Sequence, residues 1–438
     1  MPKDFTSKIF NIYKESPYRF HLTVLYISVL IVYWQVNKFE FLIGWDDQWY
    51  ITNHYTENGF SRKNLYAILT DFFYGQYAPV NQFYYLLLYN LFGYSPKYFH
   101  ISSVLLHLGN ATLIYWMIKN VAIKISNIGA TRSGEVAFIT TLLFAVSPFN
   151  LEPVAWVAAS KVLLYSLFYL LAIRSYCLYL DTSKSTHFYL VILWFTLSFG
   201  AKEQAVSLPI CLLLFDYIYK RNFRDHMIWY EKTPLLVLTI LFGIVTLQSQ
   251  GEMILENTHF YPIYQRVILS FYTLSEYFTK AIIPINVSYL YPFPFQVGEP
   301  VPLWIYLYPF STVLIIICLY KIILKKWLAF GLLFFLIHII LVLNLLSLAR
   351  YSVIADRYAY LSTIGLYFIL AYSFTLLCQT KYKQIVVTIS FVYFLGFMVS
   401  SFNHVSTWQD VGTLKSRIKK VMESRKDYQN WKNKQNSK

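Results

Sequence analysis

Residues 303–320 read LWIYLYPFSTVLIIICLY, a run without a single charged side chain. An apolar run of roughly twenty residues is long enough to cross the ~30 Å hydrocarbon core of a bilayer as a helix. Similar runs recur along the whole 438-residue chain, of which 57% of residues are hydrophobic and 13% are charged. An ordinary soluble domain carries about twice that charged fraction. The sequence therefore predicts an all-α polytopic membrane protein.

The positions of Lys and Arg predict how the chain is threaded through the membrane. Basic residues cluster in short loops between apolar runs, which is typical of cytoplasmic loops. All of these basic loops fall on the cytoplasmic side only if the apolar segment 263–284 does not cross the membrane. It would instead re-enter the membrane or lie against its outer face. This threading predicts eleven spans in a cell (inner) membrane, a cytoplasmic N-terminus and an extracytoplasmic C-terminus. The predicted spans are 20–38, 98–121, 134–150, 153–180, 186–200, 203–220, 233–250, 303–320, 327–347, 357–379 and 385–403.

Several other classes of protein and site are disfavoured. The net charge of +15 lies in the short loops, and no nucleic-acid-binding motif is present. The 40 Tyr and 11 Trp residues are typical of aromatic belts at the membrane interfaces, with stacking on bases or sugars as the alternative. The four cysteines show no paired or metal-ligand spacing. The first apolar run lacks a cleavage site, which predicts an uncleaved anchor with a basic flank at Lys3, Lys8, Lys14 and Arg19.

Two polar regions face outward in this threading. The first is a loop over residues 40–97, within a transmembrane domain over 1–404, and it contains amphipathic patterns at 65–73 and 81–92 suited to short interfacial helices. The second is a basic tail over residues 405–438. Its apolar spacing predicts a helix that is either solvated or partner-binding, through Leu414, Ile418, Val421 and Met422.

Asp46 and Asp47 follow the first span and are the leading acidic candidates. Adjacent carboxylates can raise one pKa or divide the work of accepting a proton and orienting a partner. The alternative is a helix cap or a hydrated turn.

The cationic candidates also lie at the predicted outer face. Lys161 falls eight residues into its predicted span, about 12 Å along a helix axis, where an ionisable residue is costly and a functional candidate. Lys202, followed by Glu203, lies in a very short connection, where extension of the side chain to the interface is the alternative. Arg357 follows Asp356 at the start of a span, and Arg is a good bidentate phosphate ligand.

His107 and Asn110 are interpreted as interhelical hydrogen-bonding residues rather than ligands. No pattern specifies a metal site or another cofactor, and a requirement for a divalent metal is left open.

Carboxylates and cations on one face of the membrane suit one reaction in particular. When a sugar leaves a lipid phosphate, the phosphate is already a good leaving group, so the site needs cations for its charge and a base for the incoming hydroxyl. A glycoside hydrolase would instead need two carboxyl groups flanking the bond.

The motifs resemble a known family along nearly the whole chain. The chain is similar to the integral-membrane glycosyltransferases of the GT-C superfamily, and more closely to the transmembrane and tetratricopeptide-repeat-containing protein O-mannosyltransferases and their bacterial relatives. The stretches that carry this resemblance are Gly44-Trp45-Asp46-Asp47, Tyr94-Ser95-Pro96-Lys97, Leu106-His107, Glu152-Pro153-Val154-Ala155-Trp156, Ala201-Lys202-Glu203-Gln204, Leu214-Phe215-Asp216-Tyr217, Pro284-Ile285-Asn286-Val287-Ser288 and Ala355-Asp356-Arg357-Tyr358-Ala359-Tyr360.

The resemblance implies a function and roles for residues. It implies a GT-C-like fold, a polyprenyl-phosphate sugar donor with mannose as the candidate sugar, and a protein or glycan acceptor outside the cytoplasm, with inversion at the sugar. Asp46 becomes the leading base and Asp47 its alternate. The tail resembles the lead-in to a repeat domain, of which no full repeat is expected here. The implied phosphate ligands are Arg357, Lys202 and Lys161, and the implied supporting residues are Glu203, Asp356, Tyr358 and His107.

Two other functions remain as alternatives. A transporter or flippase of lipid-linked sugars would need polar residues near the midplane and access from both sides. A noncatalytic scaffold would tolerate substitution of both external aspartates. The short cytoplasmic loops with few acidic residues favour the transferase over the transporter.

Overall fold

A computed structural model describes residues 16–125, 129–255, 261–285, 287–345 and 352–423. Within these ranges the chain is helical, without a β-strand. The α-helices are α1 (Pro17–Tyr33), α2 (Asp47–Tyr50), α3 (His54–Glu57), α4 (Arg62–Thr70), α5 (Pro79–Phe92), α6 (Pro96–Ile125), α7 (Gly129–Ala145), α8 (Glu152–Ala155), α9 (Lys161–Thr182), α10 (Ser185–Ala201), α11 (Leu208–Ile218), α12 (His226–Leu255), α13 (Ile263–Ile282), α14 (Leu307–Ile323), α15 (Lys326–Ile339), α16 (Thr363–Leu377), α17 (Lys383–His404) and α18 (Val411–Glu423). Short 3₁₀ helices cover Trp34–Lys38, Pro148–Asn150, Val157–Ser160, Glu203–Ser207, Leu303–Tyr306, Ile340–Val342, Asp356–Ala359 and Val405–Trp408.

Six helical segments in the described ranges are long and apolar enough to cross a membrane, which supports a multi-pass membrane protein. They are Pro17–Lys38, Pro96–Ile125, Val157–Thr182, His226–Ser249, Leu303–Ile323 and Lys383–Trp408. Three shorter apolar helices coincide with further predicted spans at Ser185–Ala201, Lys326–Val342 and Thr363–Leu377. The predicted number of eleven is therefore not confirmed.

One predicted span is displaced along the chain and another is shorter than expected. The segment predicted at 134–150 corresponds to α7, a helix of the same length, 17 residues, that begins and ends five residues earlier, at Gly129 and Ala145. The segment predicted at 203–220 begins as the 3₁₀ helix Glu203–Ser207, and its α-helix, α11, has 11 residues. An α-helix of 11 residues is about 16 Å long, well short of the hydrocarbon core.

The prediction of one continuous span over 153–180 is wrong. The chain forms α8, breaks at Trp156, whose backbone is extended (φ −96°, ψ 115°), and continues as a 3₁₀ helix before α9 begins at Lys161. Lys161 is therefore the first residue of an α-helix and does not lie deep within one. The break also frees backbone N–H groups for partners elsewhere in the chain.

Helix α13 covers the segment that was predicted not to cross. Its buried side chains recur every fourth residue and so lie on one side of the helix, at Leu269, Thr273, Tyr277 and Ala281. This one-sided burial fits a helix lying against the rest of the protein. Whether α13 re-enters the membrane or lies on its surface stays a prediction.

The two regions that were predicted to face outward contain the expected helices. The two amphipathic patterns of the first loop form α4 and α5, and the tail forms α18, whose Leu414 is buried against the core. The remainder of the predicted tail, from residue 424, and the flank of Lys3, Lys8 and Lys14 lie outside the described residues.

The core forms where α6, α7, α9, α10, α15 and α16 pack side by side. Helices α15 and α16 approach most closely at Gly331 and Gly365, where a Cβ on either residue would collide with the backbone of the other helix. Small residues allow such backbone contact between membrane helices. Helix α14 has no buried residue, in keeping with a lipid-facing position.

A buried ionic cluster joins the ends of α9, α11 and α12. Lys232 Nζ lies 2.7 Å from Asp216 Oδ2, and these side chains are 1% and 0% exposed. Arg221 pairs with both Asp216 and Glu231, at 3.0 and 2.5 Å. Tyr176 Oη donates to Asp216 Oδ1 at 2.5 Å. Two cations thus match two carboxylates, and the cluster fastens three helices together.

Replacing Lys232 with Ala is expected to lower the free energy of unfolding by about 3–5 kcal/mol, because it leaves a buried carboxylate without its partner. The matched control is Lys124→Ala, which removes the ion pair between Lys124 and Asp181. The two side chains of this pair are 40% and 42% exposed. A pair so exposed contributes under about 1 kcal/mol to stability. Thermal unfolding in detergent measures both variants. Equal melting temperatures for the two variants would contradict this role of the cluster.

Candidate functional site

Asp47 is a buried structural residue. Its side chain is fully buried, and both oxygens accept hydrogen bonds. Oδ2 accepts from Leu42 N–H at 2.7 Å, and Oδ1 accepts from Trp156 Nε1–H at 3.0 Å and from Ala158 N–H at 3.1 Å. Burial raises the pKa of Asp47 to about 6, although these three hydrogen bonds oppose the rise. Asp47 therefore holds the loop of residues 40–97 against the break between α8 and α9.

Asp46 is the free carboxylate of the pair. It precedes α2 but makes no capping hydrogen bond, so the helix-cap interpretation is wrong. Its carboxylate makes no hydrogen bond or ion pair with any other described residue and is partly exposed. The turn that presents it contains Gly44, whose φ of +82° is readily adopted only by glycine. Burial raises the pKa of Asp46, while the charges of Lys161 and Arg357 lower it.

Lys161 lies beside the loop of residues 40–97. Its Nζ donates to Gln76 Oε1 at 2.6 Å and lies 4.7 Å from the centre of the Tyr50 ring. The Gln76 amide in turn donates to Tyr50 Oη at 2.6 Å. Lys161 also interacts electrostatically with Asp46 and Arg357. Because the chain breaks before α9, Lys161 is the first residue of that helix. This position brings its ammonium close enough to interact with Asp46, the candidate base.

Lys202 is the least satisfied cation of the site. Its side chain is 3% exposed, and its closest carboxylate is Glu203 at 3.9 Å, which is too long for a hydrogen bond. Its Nζ also lies 5.2 Å from the centre of the Tyr358 ring. The alternative, in which the Lys202 side chain extends out to the interface, does not fit, because the side chain is buried. A buried ammonium whose closest carboxylate among the described residues lies at 3.9 Å is unfavourable.

Arg357 is held by a carboxylate that the sequence did not single out as a functional residue. Nη1 donates to Glu152 Oε1 at 2.5 Å, and the backbone N–H of Arg357 donates to Glu152 Oε2 at 2.9 Å. The guanidinium lies against the rings of Trp156, Tyr289 and Tyr358, at 5.4, 5.9 and 5.0 Å. Its Nη2 and Nε have no acceptor among the described residues, which leaves one edge of the fork for a ligand.

Asp356 and Tyr358 have different roles from each other. Asp356 is 4% exposed, and its Oδ1 has no hydrogen-bond partner among the described residues. Burial and the nearby Glu152 raise the pKa of Asp356 well above its usual range. The Tyr358 ring contacts both Lys202 and Arg357 and so joins two of the candidate phosphate ligands.

His107 lies in the buried core. Its Nδ1 pairs with Tyr360 Oη at 2.7 Å and its Nε2 with the carbonyl oxygen of Ala145 at 3.0 Å. Asn110 donates to the carbonyl oxygen of Leu163 at 3.0 Å. Both residues link separate parts of the chain in the core, in agreement with the interhelical interpretation. The supporting role that the resemblance implied for His107 stays a prediction.

The structure brings most of the remaining candidates together. Asp46, Lys161, Lys202, Glu203 and Arg357 come from four separate parts of the chain and interact electrostatically as one group. Sequence reasoning missed the residues that fix their positions. A Glu in the otherwise apolar run 149–158 was a detectable signal, because ionisable residues inside apolar segments are costly. The missed residues are Glu152, Trp156, Tyr50, Gln76 and Tyr289.

Among the residues that the structure describes, no three His, Cys, Asp or Glu side chains are grouped to hold a metal ion.

Part of the chain is similar to known proteins. It is 31% identical over 146 residues to Protein O-mannosyl-transferase TMTC1 of Homo sapiens, and 31% identical over 148 residues to the protein of the same name of Mus musculus. Each match covers 31% of this chain, but only 16% of the human protein and 15% of the mouse protein. No family model matches the chain. This distant, partial similarity supports a membrane glycosyltransferase in general terms and agrees with the resemblance drawn from the motifs.

Proposed function

We propose that this chain is a GT-C-type glycosyltransferase that moves a single sugar, with mannose the first candidate, from a polyprenyl monophosphate to an acceptor hydroxyl on the extracytoplasmic side. The observation that carries the proposal is the free carboxylate of Asp46 beside Lys161 and Arg357. A base and cations placed together meet the two needs of this reaction.

The proposed reaction is one displacement. The acceptor oxygen attacks the anomeric carbon, and its proton passes to Asp46. The bond from that carbon to the phosphate oxygen breaks, and the electron pair leaves with the phosphate. Lys202 and the open edge of Arg357 receive the negative charge of the phosphate, while Lys161 holds the loop and adds positive charge. A single displacement inverts the configuration of the sugar.

The state of each cation supports this division of roles. Lys202 is buried without a hydrogen-bonded carboxylate, and Arg357 keeps part of its fork open although Glu152 orients it. Charge-assisted hydrogen bonds to phosphate are about twice as strong as neutral ones. The aromatic rings around Arg357 keep it stacked in place without using its N–H groups.

Incubating the purified chain with a panel of polyprenyl-phosphate sugars and a hydroxyl-bearing acceptor tests the function. The expected result is acceptor-dependent release of polyprenyl phosphate for at least one donor. A transporter would move the intact donor between leaflets and leave the sugar–phosphate bond unbroken. Intact donors throughout the panel, together with leaflet exchange in vesicles, would contradict the proposal.

The proposed base also predicts a pH dependence. Transfer needs deprotonated Asp46, whose pKa is raised by burial. Activity should therefore be full above this raised pKa and fall about tenfold per pH unit below it. Because the charge of Lys161 lowers the pKa of Asp46, Lys161→Met should move the acid limb of the kcat/KM profile to higher pH. Lys161→Arg, which keeps the charge, is the control, and an acid limb that stays fixed in Lys161→Met would count against Asp46.

A further inference from the structure

Arg174 is a charged residue within the apolar length of α9. It belongs to the segment Val157–Thr182, which is long and apolar enough to cross a membrane, and its side chain is exposed. The other charged residues of α9 are Lys161 at its start and Asp181 near its end. Arg174 lies about 20 Å along the helix from Lys161 and about 10 Å before Asp181. It is therefore separate from the candidate functional site, at a level of the helix where a charge is costly.

The face of α9 that carries Arg174 is otherwise apolar. Leu167, Leu171 and Leu178 recur with Arg174 at spacings of three or four residues, so the four side chains lie on one face of the helix. The three leucines are partly exposed. Exposed apolar side chains on a membrane-crossing helix contact lipid. Arg174 therefore brings a cation to a lipid-facing surface.

Trp116 of the neighbouring helix α6 lies beside Arg174. Helices α6 and α9 pack against each other, and the ion pair between Lys124 and Asp181 joins them near their ends. Trp116 and Arg174 are separated in sequence by the same number of positions as that pair, to within one. The Arg174 guanidinium lies 5.5 Å from the centre of the Trp116 ring. Its side chain thus extends sideways across α6, whereas an arginine that reaches for water extends toward the end of its helix.

The N–H groups of Arg174 are free to bind a ligand. The guanidinium makes no hydrogen bond or ion pair with any other residue that the structure describes. The indole N–H of Trp116 has no acceptor within the same ranges. Asp181 is already used, because it accepts from Lys124 at 3.1 Å and from Tyr219 at 3.2 Å. This lipid-facing surface therefore offers a positive charge and hydrogen-bond donors without a matching acceptor.

We propose that Arg174, stacked on Trp116, binds the phosphate group of a membrane glycerophospholipid whose head group is anionic. Phosphate combines negative charge with several acceptor oxygens, and a guanidinium binds it through paired hydrogen bonds. Charged residues in membrane helices thin the bilayer locally, which brings lipid phosphates toward the level of Arg174. The proposal does not depend on the transferase function, since the candidate site lies at the other end of α9.

The charges around Arg174 favour one type of head group. A head group that also carries an ammonium needs a carboxylate partner, but Asp181 is paired with Lys124. The ring of Trp116, which could otherwise hold a quaternary ammonium, is occupied by Arg174. We therefore expect phosphatidylglycerol to bind more tightly than phosphatidylcholine.

Native mass spectrometry of the full chain in detergent, titrated with phosphatidylglycerol, tests the proposal without using the transfer reaction. Arg174→Met is expected to lower the affinity for this lipid about tenfold or more, because charge-assisted hydrogen bonds are lost. The variant should melt at the same temperature as the wild type or higher, since it places an apolar side chain on an apolar face. Arg174→Lys keeps the charge but not the paired donors, so its affinity should be intermediate.

The matched control is Arg224→Met. Arg224 is also exposed, but it lies in the loop before α12, and its side chain has no hydrogen-bond partner among the described residues. This variant should bind phosphatidylglycerol as the wild type does. Unchanged binding in Arg174→Met, or an equal loss in Arg224→Met, would overturn the proposal.

Phosphatidylcholine and a polyprenyl phosphate are the other two probes, and their masses distinguish them from phosphatidylglycerol. Equal binding of phosphatidylcholine and phosphatidylglycerol by the wild type would contradict the preference for an anionic head group. If Arg174→Met loses binding of the polyprenyl phosphate and keeps that of phosphatidylglycerol, the ligand is a polyprenyl lipid and the proposed glycerophospholipid is wrong.

Discussion

Asp46→Asn should lower kcat by about 10²–10⁴-fold, the range that general-base catalysis typically contributes. Asparagine has nearly the same size but cannot take the proton of the acceptor hydroxyl. Asp46 makes no capping bond, and its carboxylate has no partner among the described residues. The variant should therefore insert and melt like the wild type. Steady-state transfer rates, together with a thermal melt, measure both properties.

Asp47→Asn is the matched control. Whereas Asp46→Asn should lose activity and keep its stability, Asp47→Asn should lose stability. One of its two oxygens becomes an NH₂ group, so Leu42 N–H or the pair of Trp156 and Ala158 donors loses its acceptor. An unsatisfied buried donor costs about 1–3 kcal/mol, which should appear as a lower melting temperature. Full activity in Asp46→Asn, with loss of activity in a folded Asp47→Asn variant, would reverse the assignment of the two aspartates.

Lys202→Met should raise the KM for the donor by about 10–100-fold, because a charge-assisted hydrogen bond contributes about 1.5–3 kcal/mol. The same change should leave the melting temperature unchanged or raise it, since Lys202 is 3% exposed and has no hydrogen-bonded carboxylate. Replacing such a buried charge with an apolar side chain of similar volume is often stabilising. Donor titrations and thermal melts on the same preparations measure the two effects.

Arg357→Ala provides the contrast. It should also weaken donor use, but it leaves Glu152, which is 3% exposed, without its cation and should therefore destabilise the protein. A Lys202→Met variant that melts lower and keeps its donor KM would show that Lys202 is structural. In the predicted result, Lys202→Met melts at the same or a higher temperature than the wild type and has a higher KM for the donor. That pair of effects distinguishes a ligand-binding cation from a structural one.

The sequence predicts helices well where an apolar run is long and uncharged, as over residues 303–320, because length and composition decide membrane insertion. It predicts them badly at 153–161. There the break at Trp156 is set by hydrogen bonds to Asp47, more than a hundred positions away in the chain. Local periodicity carries no information about such a partner.

The candidate site was predictable in part. Its residue types follow from the placement of carboxylates and cations in the sequence, and Asp46, Lys161, Lys202 and Arg357 do come together. The side of the membrane on which they lie stays a prediction. The separate roles of Asp46 and Asp47 were not predictable, because adjacent residues with the same side chain differ only in what the fold packs around them. Glu152 was missed because its partner, Arg357, lies 205 residues further along the chain.

The central claim is that Asp46 removes the acceptor proton as a sugar leaves a lipid phosphate. The most direct measurement is a single-turnover assay that follows a labelled sugar from a polyprenyl phosphate to the acceptor, in the wild type and in Asp46→Asn. The account predicts that the label moves to the acceptor with inverted configuration in the wild type and stays on the lipid in Asp46→Asn. Equal transfer by both proteins, or a product with retained configuration, would contradict it.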